Sequence, residues 1–486
     1  MKNHLLILLV VTLLTRGILF ISYPMGGSDD DQSAHRYQID QLISGNLLIG
    51  NLRYHTGYPL VIAPVAAVAQ FLGRYSDRLI LLIQVGLSAF IPLLVYDILR
   101  ARRRAREGLI AALVVALDPF GLQWAHFALP NWLIAFCVTL ALWLIHRGLL
   151  RAGRLLMWTA LAGVVMGIAT LARLNLAPIV ALMGGLFFLF RWLPLMQRWK
   201  MFAIFGVGSA GILALYTALI HYPSTGTWSL SCYTGTNLLV SVYLKGFDLS
   251  AENGPATRHL LELMTLKPPR EIAFTNDLYP RWSEPGSWAT EDEYDAFINQ
   301  PYGIPETHLS SAWPGNLFYY LGPCATDVLL LQVHDEAVHA QPVRWLLSIP
   351  TDVFNMLVQQ PIPGDFHPMY LPRANSLHFE GQNILGFQRA YGDFYNGQWV
   401  WRPGIVLYSA LFDAWNLFKW VAPFALVWAL FSREWFYGAP ALMLLAFLIS
   451  MSIFGNPAPR LYAPLYPFTP LLIGGFATGL FRRWLK

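Results

Sequence analysis

Three consecutive carboxylates, Asp29, Asp30 and Asp31, stand directly behind the first long apolar run of this chain, inside the stretch Gly26 to Tyr37 that reads GGSDDDQSAHRY. Adjacent acids repel one another and are costly to take out of water. The cluster therefore belongs at a membrane surface or in a polar cavity, where a nearby cation, a metal or a raised pKa makes it tolerable. A carboxylate held there can take a proton from an acceptor hydroxyl as general base, and a second can orient the acceptor or bind a cation. The bland alternative is a solvated turn in which three acids are merely hydrophilic, and the motif alone weighs the two equally.

What surrounds the acids is apolar. The 486 residues are 56% hydrophobic and only 13% charged, about half the charged share of an ordinary soluble domain, so the chain reads as a membrane protein. A formal charge of +5 does not point to nucleic acid, because the arginines gather in short clusters between apolar runs instead of forming a basic domain. Leu5 to Tyr23 is longer than a secretory core, contains Arg16 and lacks a small-x-small cleavage site, so it reads as a retained helix.

Gln38 to Leu52 reads as an amphipathic interfacial helix, followed by a turn-rich RYHTGYP and an apolar stretch to Phe71. Leu79 to Leu99 then runs into Arg100, Arg102, Arg103, Arg104 and Arg106, a cytoplasmic loop by the positive-inside rule, which sets the acids on the other side. Further spans follow at 109–121, 129–146, 158–171, 176–190 and 201–220, with arginine clusters returning at 147–154 and 191–200. From His221 to Arg402 prolines, glycines, aromatics and charges mix, too long for a loop. This part reads as an extracytoplasmic domain or cap with short helices and strands, in which Val343 to Val358 is an interfacial or re-entrant helix. Spans at 403–431, 437–454 and 461–481 close the chain at Arg482, Arg483 and Lys486.

The expectation is an all-α polytopic membrane protein of about 10 to 13 transmembrane helices with both ends cytoplasmic. Its modules are 1–220, with a first outer loop over 24–78, the cap 221–402, and 403–486. No internal repeat is visible, which weakens a transporter built on inverted repeats. Cys137 lies in an apolar run, whereas Cys232 and Cys324 share the polar middle, where their pairing stays open.

The face that carries the acids also receives Tyr54 and His55, Trp124 and His126, Arg173, and the segment NPAPRLYAP with Arg460 and Tyr462. Arginines at outer helix ends oppose the positive-inside trend and suit a phosphate or pyrophosphate, the alternative being snorkelling to lipid headgroups. His55 and His126 are candidates for acid, base or ligand, against the commoner structural histidine. Acids, arginines and aromatics on one membrane face suggest a site for a lipid-linked phosphorylated substrate.

The spacing resembles that of the polytopic GT-C glycosyltransferases, membrane enzymes that use polyprenyl-phosphate-linked sugars. Many bacterial members carry a first loop of the form DDxxxxxRYxxNLxxGxGLxxN and then a GYP-like turn. Here Asp29 and Asp30 are followed by Arg36 and Tyr37, by Gly45, Leu47 and Asn51, and by Gly57, Tyr58 and Pro59. The resemblance implies that Asp29 and Asp30 hold the catalytic base, with Asp31 an extra acid; the loop motif and the shared outer face together make Arg36, Tyr54, His55, His126, Arg173, Arg460 and Tyr462 the candidates for binding substrate. Arg173 in LARLNLAP and Arg460 in PRLYAPLYP resemble recurring outer arginines of the family. Asn131 stands where relatives often carry an acid. The broad class differs in metal use, so a divalent metal at Asp29 and Asp30 is left open and no other cofactor is expected.

The function that the resemblance implies is transfer, with inversion, of a glycosyl residue from a polyprenyl-phosphate-linked donor to a glycan, lipid or protein acceptor of the cell envelope. The partners are the donor, the acceptor and membrane lipids, with no nucleic acid. The location is the bacterial cytoplasmic (inner) membrane, with the site facing outward. A polysaccharide polymerase or ligase using the long middle region, and a glycan or lipid transporter with a continuous polar path, are the alternatives.

Overall fold

The structure is a computed structural model. It describes residues 2–22, 30–46, 57–71, 76–101, 105–127, 129–225, 228, 234–247, 249–263, 321, 323–358, 378–383, 386–391, 398–432, 434–454 and 465–484. Among these, six helical spans are long and apolar enough to cross a membrane: Asn3–Ser22, Arg78–Arg100, Asn131–Leu150, Leu155–Ala172, Leu195–His221 and Trp435–Ile453. Shorter apolar helices occupy Gly57–Phe71, Leu174–Leu189 and Phe468–Leu480. The chain is a multi-pass, mostly helical membrane protein.

In order, the helices are α1 (Lys2–Ser22), α2 (Asp30–Ile43), α3 (Gly57–Phe71), α4 (Ser76–Ser88), α5 (Phe90–Arg100), α6 (Ala105–Ala116), α7 (Pro119–Trp124), α8 (Asn131–Leu150), α9 (Leu155–Ala172), α10 (Ala177–Leu186) and α11 (Leu195–Tyr216). After α12 (Tyr222–Thr225), the middle of the chain contributes α13 (Thr234–Leu244), α14 (Pro255–Leu263), α15 (Pro323–Ala340) and α16 (Pro342–Val358). Strands β1 (His378–Gln382), β2 (Phe387–Tyr391) and β3 (Gln398–Trp401) form an antiparallel meander in that order. The chain closes with α17 (Arg402–Phe418), α18 (Ala422–Leu430), α19 (Trp435–Phe454) and α20 (Phe468–Trp484).

Helix α8 is apolar nearly all round and mostly buried, with Trp132, Ile134 and Ala141 in the core and the stripe of Phe136, Leu140, Trp143 and Arg147 partly exposed. The rim helices instead leave apolar stripes uncovered: Leu6 and Leu14 on α1, Val207 and Leu215 on α11, Leu417 and Phe418 on α17. Such surface is disfavoured in water and suits lipid. Helices α9 and α11 meet backbone to backbone through small residues, as membrane helices do where apolar surface alone gives no drive to associate. A Cβ on Gly163 would stand 2.3 Å from the Phe205 carbonyl oxygen, and one on Gly167 2.9 Å from that of Ser209. Gly163→Val should force the pair apart at a cost of about 1–3 kcal/mol, read as a lower unfolding temperature of the detergent-purified protein. The last helix closes on an early one in the same way, Gly474 of α20 facing Ala111 of α6.

One end of the bundle carries the arginines. Asp97 accepts from Trp143 Nε1 at 2.7 Å and from Arg100 at 3.1 Å, and pairs with Arg147, which fastens α5 to α8 there. The opposite end is less regular, and several expected spans stop short of it. The helix expected over 109–121 ends at Ala116, because Asp118 with Pro119 behind it starts α7; the Asp118 carboxylate accepts the Phe120 and Gly121 N–H groups at 3.2 Å each. The span expected over 461–481 becomes helical at Phe468, with Tyr466 filling the space above Gly121. The stretch 403–431 is divided into α17 and α18 by a 3-10 turn, and 79–99 into α4 and α5 at Ala89, just before Pro92.

The middle region builds small cores of its own. One joins Leu239 of α13, Leu260 of α14 and Leu330 of α15; a second joins Val242, Phe247, Ala337 and Trp345. Glu336 of α15 caps α14 from outside, accepting from Ala256 N at 2.9 Å and from Thr257 N and Oγ1 at 2.7 Å. Partial burial works to raise the Glu336 pKa, but these three donors outweigh it and hold the group below its ordinary value of 4.5. A carboxylate with a depressed folded pKa contributes stability above its unfolded value and loses it as pH falls through the folded one. Unfolding followed from pH 6 downward should therefore show a loss beginning near the ordinary glutamate value that Glu336→Gln lacks.

Candidate functional site

Helix α2 is where the acidic cluster meets the fold. It runs from Asp30, not from Gln38 as expected, so Asp30 and Asp31 occupy the first positions of a helix, where negative charge is favoured by the helix dipole. Asp29 lies outside the described residues. Arg36 pairs with Asp40 one turn on, at 3.1 Å, and Tyr37 is exposed beside it. The inner face of α2 is anchored instead by His35, whose ring meets that of Tyr58 edge to face at 5.3 Å, and by buried Gln38 and Ile39.

Tyr58 continues inward as a buried chain of hydrogen bonds. Its hydroxyl donates to Gln84 Oε1 at 2.6 Å, and Gln84 Nε2 donates to the carbonyls of Phe127 at 2.8 Å and Ala125 at 3.3 Å. The loop between α7 and α8 is thereby held against α3 and α4. His126 sits in that loop, buried, with the Phe20 ring 6.1 Å away and neither ring nitrogen hydrogen-bonded among the described residues.

Arg173 follows the end of α9, and its Nη1 donates to Asn131 Oδ1 at 2.9 Å. Asn131, where an acid was expected by resemblance, thus serves as a neutral acceptor that orients the guanidinium. Two neighbours converge on the same turn. Gly57 lies so close that a Cβ on it would stand 2.3 Å from the Leu171 carbonyl carbon, and Asn175 Nδ2 approaches Met451 Sδ at 3.2 Å. Gly57 is the first described residue after Tyr54 and His55, and Met451 belongs to the last turn of α19 before Arg460 and Tyr462. Those four residues lie outside the described ones, as do Cys232 and the side chain of Cys324, but the chain ends that lead to them meet beside Arg173.

The end of α1 closes the ring. Ser22, the last described residue before Asp29, packs on Gly404 of α17, and Phe20 packs on His126. Tyr466, four residues beyond Tyr462, packs on Gly121. Three polar groups in this layer carried no functional assignment. Arg16 is buried, its Nε donating to Ser88 Oγ at 2.9 Å, Nη2 to Ser88 O at 3.2 Å and Nη1 to Ala116 O at 3.4 Å. Asp118 caps α7, and Tyr408 donates to the Pro119 carbonyl at 2.5 Å. Arg16 was detectable as the one cation inside the first apolar run, a position that is expensive without a purpose. The Asp118 cap has a local signal in the DPFG sequence, whereas the partner of Tyr408, 289 residues away, has none.

Among the described residues no group of three or more histidine, cysteine or acidic side chains is placed to hold a metal ion. A layer of apolar side chains including Val95, Leu99, Leu142, Phe468 and Leu471 lines a small cavity between α5, α8, α19 and α20, towards the arginine-rich end.

Residues 58–222 match the family model described as dolichyl-phosphate-mannose-protein mannosyltransferase. The match begins at Tyr58, so it is independent of the acidic loop, and it contains Asp118, His126, Asn131 and Arg173. No curated protein matches the chain in a sequence comparison. Among solved structures, ArnT from Cupriavidus metallidurans bound to undecaprenyl phosphate is 12% identical with a TM-score of 0.37, over 97% of this chain and 77% of that one. The apo state of the same protein is 13% identical with a TM-score of 0.35, over 94% and 78%. At those scores neither likeness bears on fold or function.

Proposed function

We propose that this chain, whose residues 58–222 match the dolichyl-phosphate-mannose-protein mannosyltransferase model, is a GT-C membrane glycosyltransferase that transfers a glycosyl residue from a polyprenyl-phosphate-linked sugar to a cell-envelope acceptor. The observation that carries the reading is the convergence of chain ends: the segments bearing Asp29, Tyr54, His55, Arg460 and Tyr462 all depart from or return to one end of the bundle, around His126 and Arg173. The arginine-rich end lies opposite. By the positive-inside rule that end is cytoplasmic, and the site faces outward from a bacterial inner membrane.

In this reading the lipid keeps its chain among the helices and presents its phosphate to Arg173 and Arg460. Asp29 or Asp30 takes the proton of the acceptor hydroxyl as its oxygen attacks the anomeric carbon. The bond from that carbon to the phosphate oxygen breaks with its electron pair staying on phosphate, and the sugar inverts. Arg36, Tyr54, His55 and Tyr462 contribute binding contacts, and the middle region shapes the acceptor side. If a divalent ion takes part, Asp29 and Asp30 are its candidates on this chain. The apolar layer beneath Tyr466 supports an enzyme closed on one side over a transporter with a through path.

The test is to supply membranes containing the protein with radiolabelled sugars, each on a polyprenyl phosphate or on a nucleotide. Label should pass to an acceptor from at least one lipid-linked sugar. Transfer from nucleotide sugars alone would overturn the proposal.

A further inference from the structure

The layer around Arg16 offers more hydrogen-bonding capacity than the protein uses. A guanidinium has five N–H donors, and the bonds of Arg16 to Ser88 and Ala116 occupy three of them, all on neutral acceptors. No carboxylate lies within ion-pair distance of Arg16 among the described residues. Asp118 is near enough for its charge to be felt there, but its two oxygens are taken up by the N–H groups that open α7.

Near this cation stand buried polar atoms without partners among the described residues, both ring nitrogens of His126 and the hydroxyl of Tyr466, and Nε1 of Trp124, two residues before His126, is likewise unpartnered. His126 and Tyr466 are each 3% exposed and Trp124 2%. His126 packs on Phe20, one turn beyond Arg16 on α1, and Tyr466 packs on Gly121 of α7, so residues from the beginning, the first third and the end of the chain meet near this cation. Buried polar groups in native proteins are nearly always paired, and several orphans around one buried cation call for an occupant.

The balance of donors and acceptors says which kind. Arg16 has two N–H groups to give, and Tyr466, Trp124 and His126 one each, against acceptor capacity only on His126 and the Tyr466 oxygen. Such a set fits an acceptor-rich group of negative charge. We propose that Arg16, His126 and Tyr466, assisted by Trp124, form a buried binding site for an oxyanion, a carboxylate or a phosphate carried by a substrate. Arg16 lies six residues, or about 9 Å of helix, before the end of α1, and its partners Ser88 and Ala116 are not those of Arg173, which bonds Asn131. The site is therefore additional to the arginines assigned to the lipid phosphate. That the anion arrives on a lipid-linked substrate rests on the proposed glycosyl transfer; that the site takes an oxyanion rests on the unfilled donors alone.

The test uses the purified full-length protein in detergent micelles and follows thermal unfolding with inorganic phosphate, glucuronate, a short-chain prenyl phosphate and the corresponding prenyl alcohol. At least one anion should raise the unfolding temperature where the alcohol does not, and the one that does so identifies free phosphate, sugar carboxylate or lipid phosphate as the source. Tyr466→Phe and His126→Leu should each weaken that anion at least tenfold. Because the Tyr466 hydroxyl has no partner to lose among the described residues, Tyr466→Phe without ligand should unfold at or above the wild-type temperature, which separates a binding defect from a folding defect. The proposal is overturned if no anion shifts unfolding, if the shift survives in both variants, or if unliganded Tyr466→Phe is destabilised, the mark of a hydroxyl already satisfied by ordered water. Binding is read without turnover, so a failed transfer assay and a failed anion shift are separate results.

Discussion

Asp30→Asn should lower glycosyl transfer by about 10²–10⁴-fold, the usual contribution of a positioned general base, while leaving donor binding largely intact. The amide keeps the size and the hydrogen-bonding reach of the carboxylate but cannot take a proton. Asp29→Asn should behave alike if the two acids act together, whereas Asp31→Asn should transfer at close to the wild-type rate. A structural role for the acids predicts a different pattern. Asp30 and Asp31 both open α2, so if their purpose were only to favour the helix dipole, the two substitutions would have similar and small effects, each within about 1 kcal/mol of stability. Comparing the three variants for kcat and KM distinguishes the cases.

The second large effect lies far from the acids. Lys245 follows α13, and its side chain is 1% exposed. Its ammonium pairs with Asp352 of α16 at 2.9 Å, donates to Ser348 Oγ at 2.9 Å and to the Ser452 carbonyl at 2.7 Å, and lies 3.9 Å from the centre of the Trp345 ring. Ser452 Oγ in turn donates to Asp352 at 2.7 Å. The middle region is thereby fastened to the last turn of α19 through one buried ion pair with its hydrogen bonds complete. Lys245→Met should destabilise the protein by about 3–5 kcal/mol, because it strands the Asp352 carboxylate in a largely desolvated site. Lys245→Met combined with Asp352→Leu should recover much of that loss, since the cost lies in the unpaired charge more than in the missing attraction. Unfolding of the single and double variants in micelles measures both.

Much of the architecture was legible because lipid imposes coarse rules. The arginines at 100–106, 147–154 and 191–200 followed apolar runs, and Asp97, Arg100 and Arg147 do gather at one end of the bundle. The mixed middle with its short helices and strands was equally visible from composition, and Val343 to Val358 is a helix with apolar residues such as Leu346 and Leu347 on its exposed side. Helix ends were harder. The break at Asp118 depends on a side chain bonding two residues ahead, a local signal that was present in the DPFG sequence and was outweighed by the apolar run around it. The start of α2 was misplaced because three acids read as a turn, although a helix N-terminus welcomes them.

The deeper polar layer was not legible, for a different reason. Arg16 meets Ser88 and Ala116, 72 and 100 residues away, and Tyr408 meets Pro119 across 289. No periodicity or spacing encodes such pairings; only the packed bundle brings them together. Arg173 was singled out for its position at a helix end, but its partner Asn131 was read as a missing acid and not as the acceptor that orients it.

The account depends most on the acids of the first loop and the arginine before the last helix sharing one site. Cysteines introduced at Ser28 and Leu461, in a protein with Cys232 and Cys324 replaced by serine, can be tested with a bis-maleimide of about 10 Å span; buried Cys137 stays silent. The account predicts an efficient 28–461 cross-link that a bound polyprenyl phosphate slows. A Leu461 cysteine that links instead to one at Arg103, in the arginine-rich loop, and never to position 28 would contradict it.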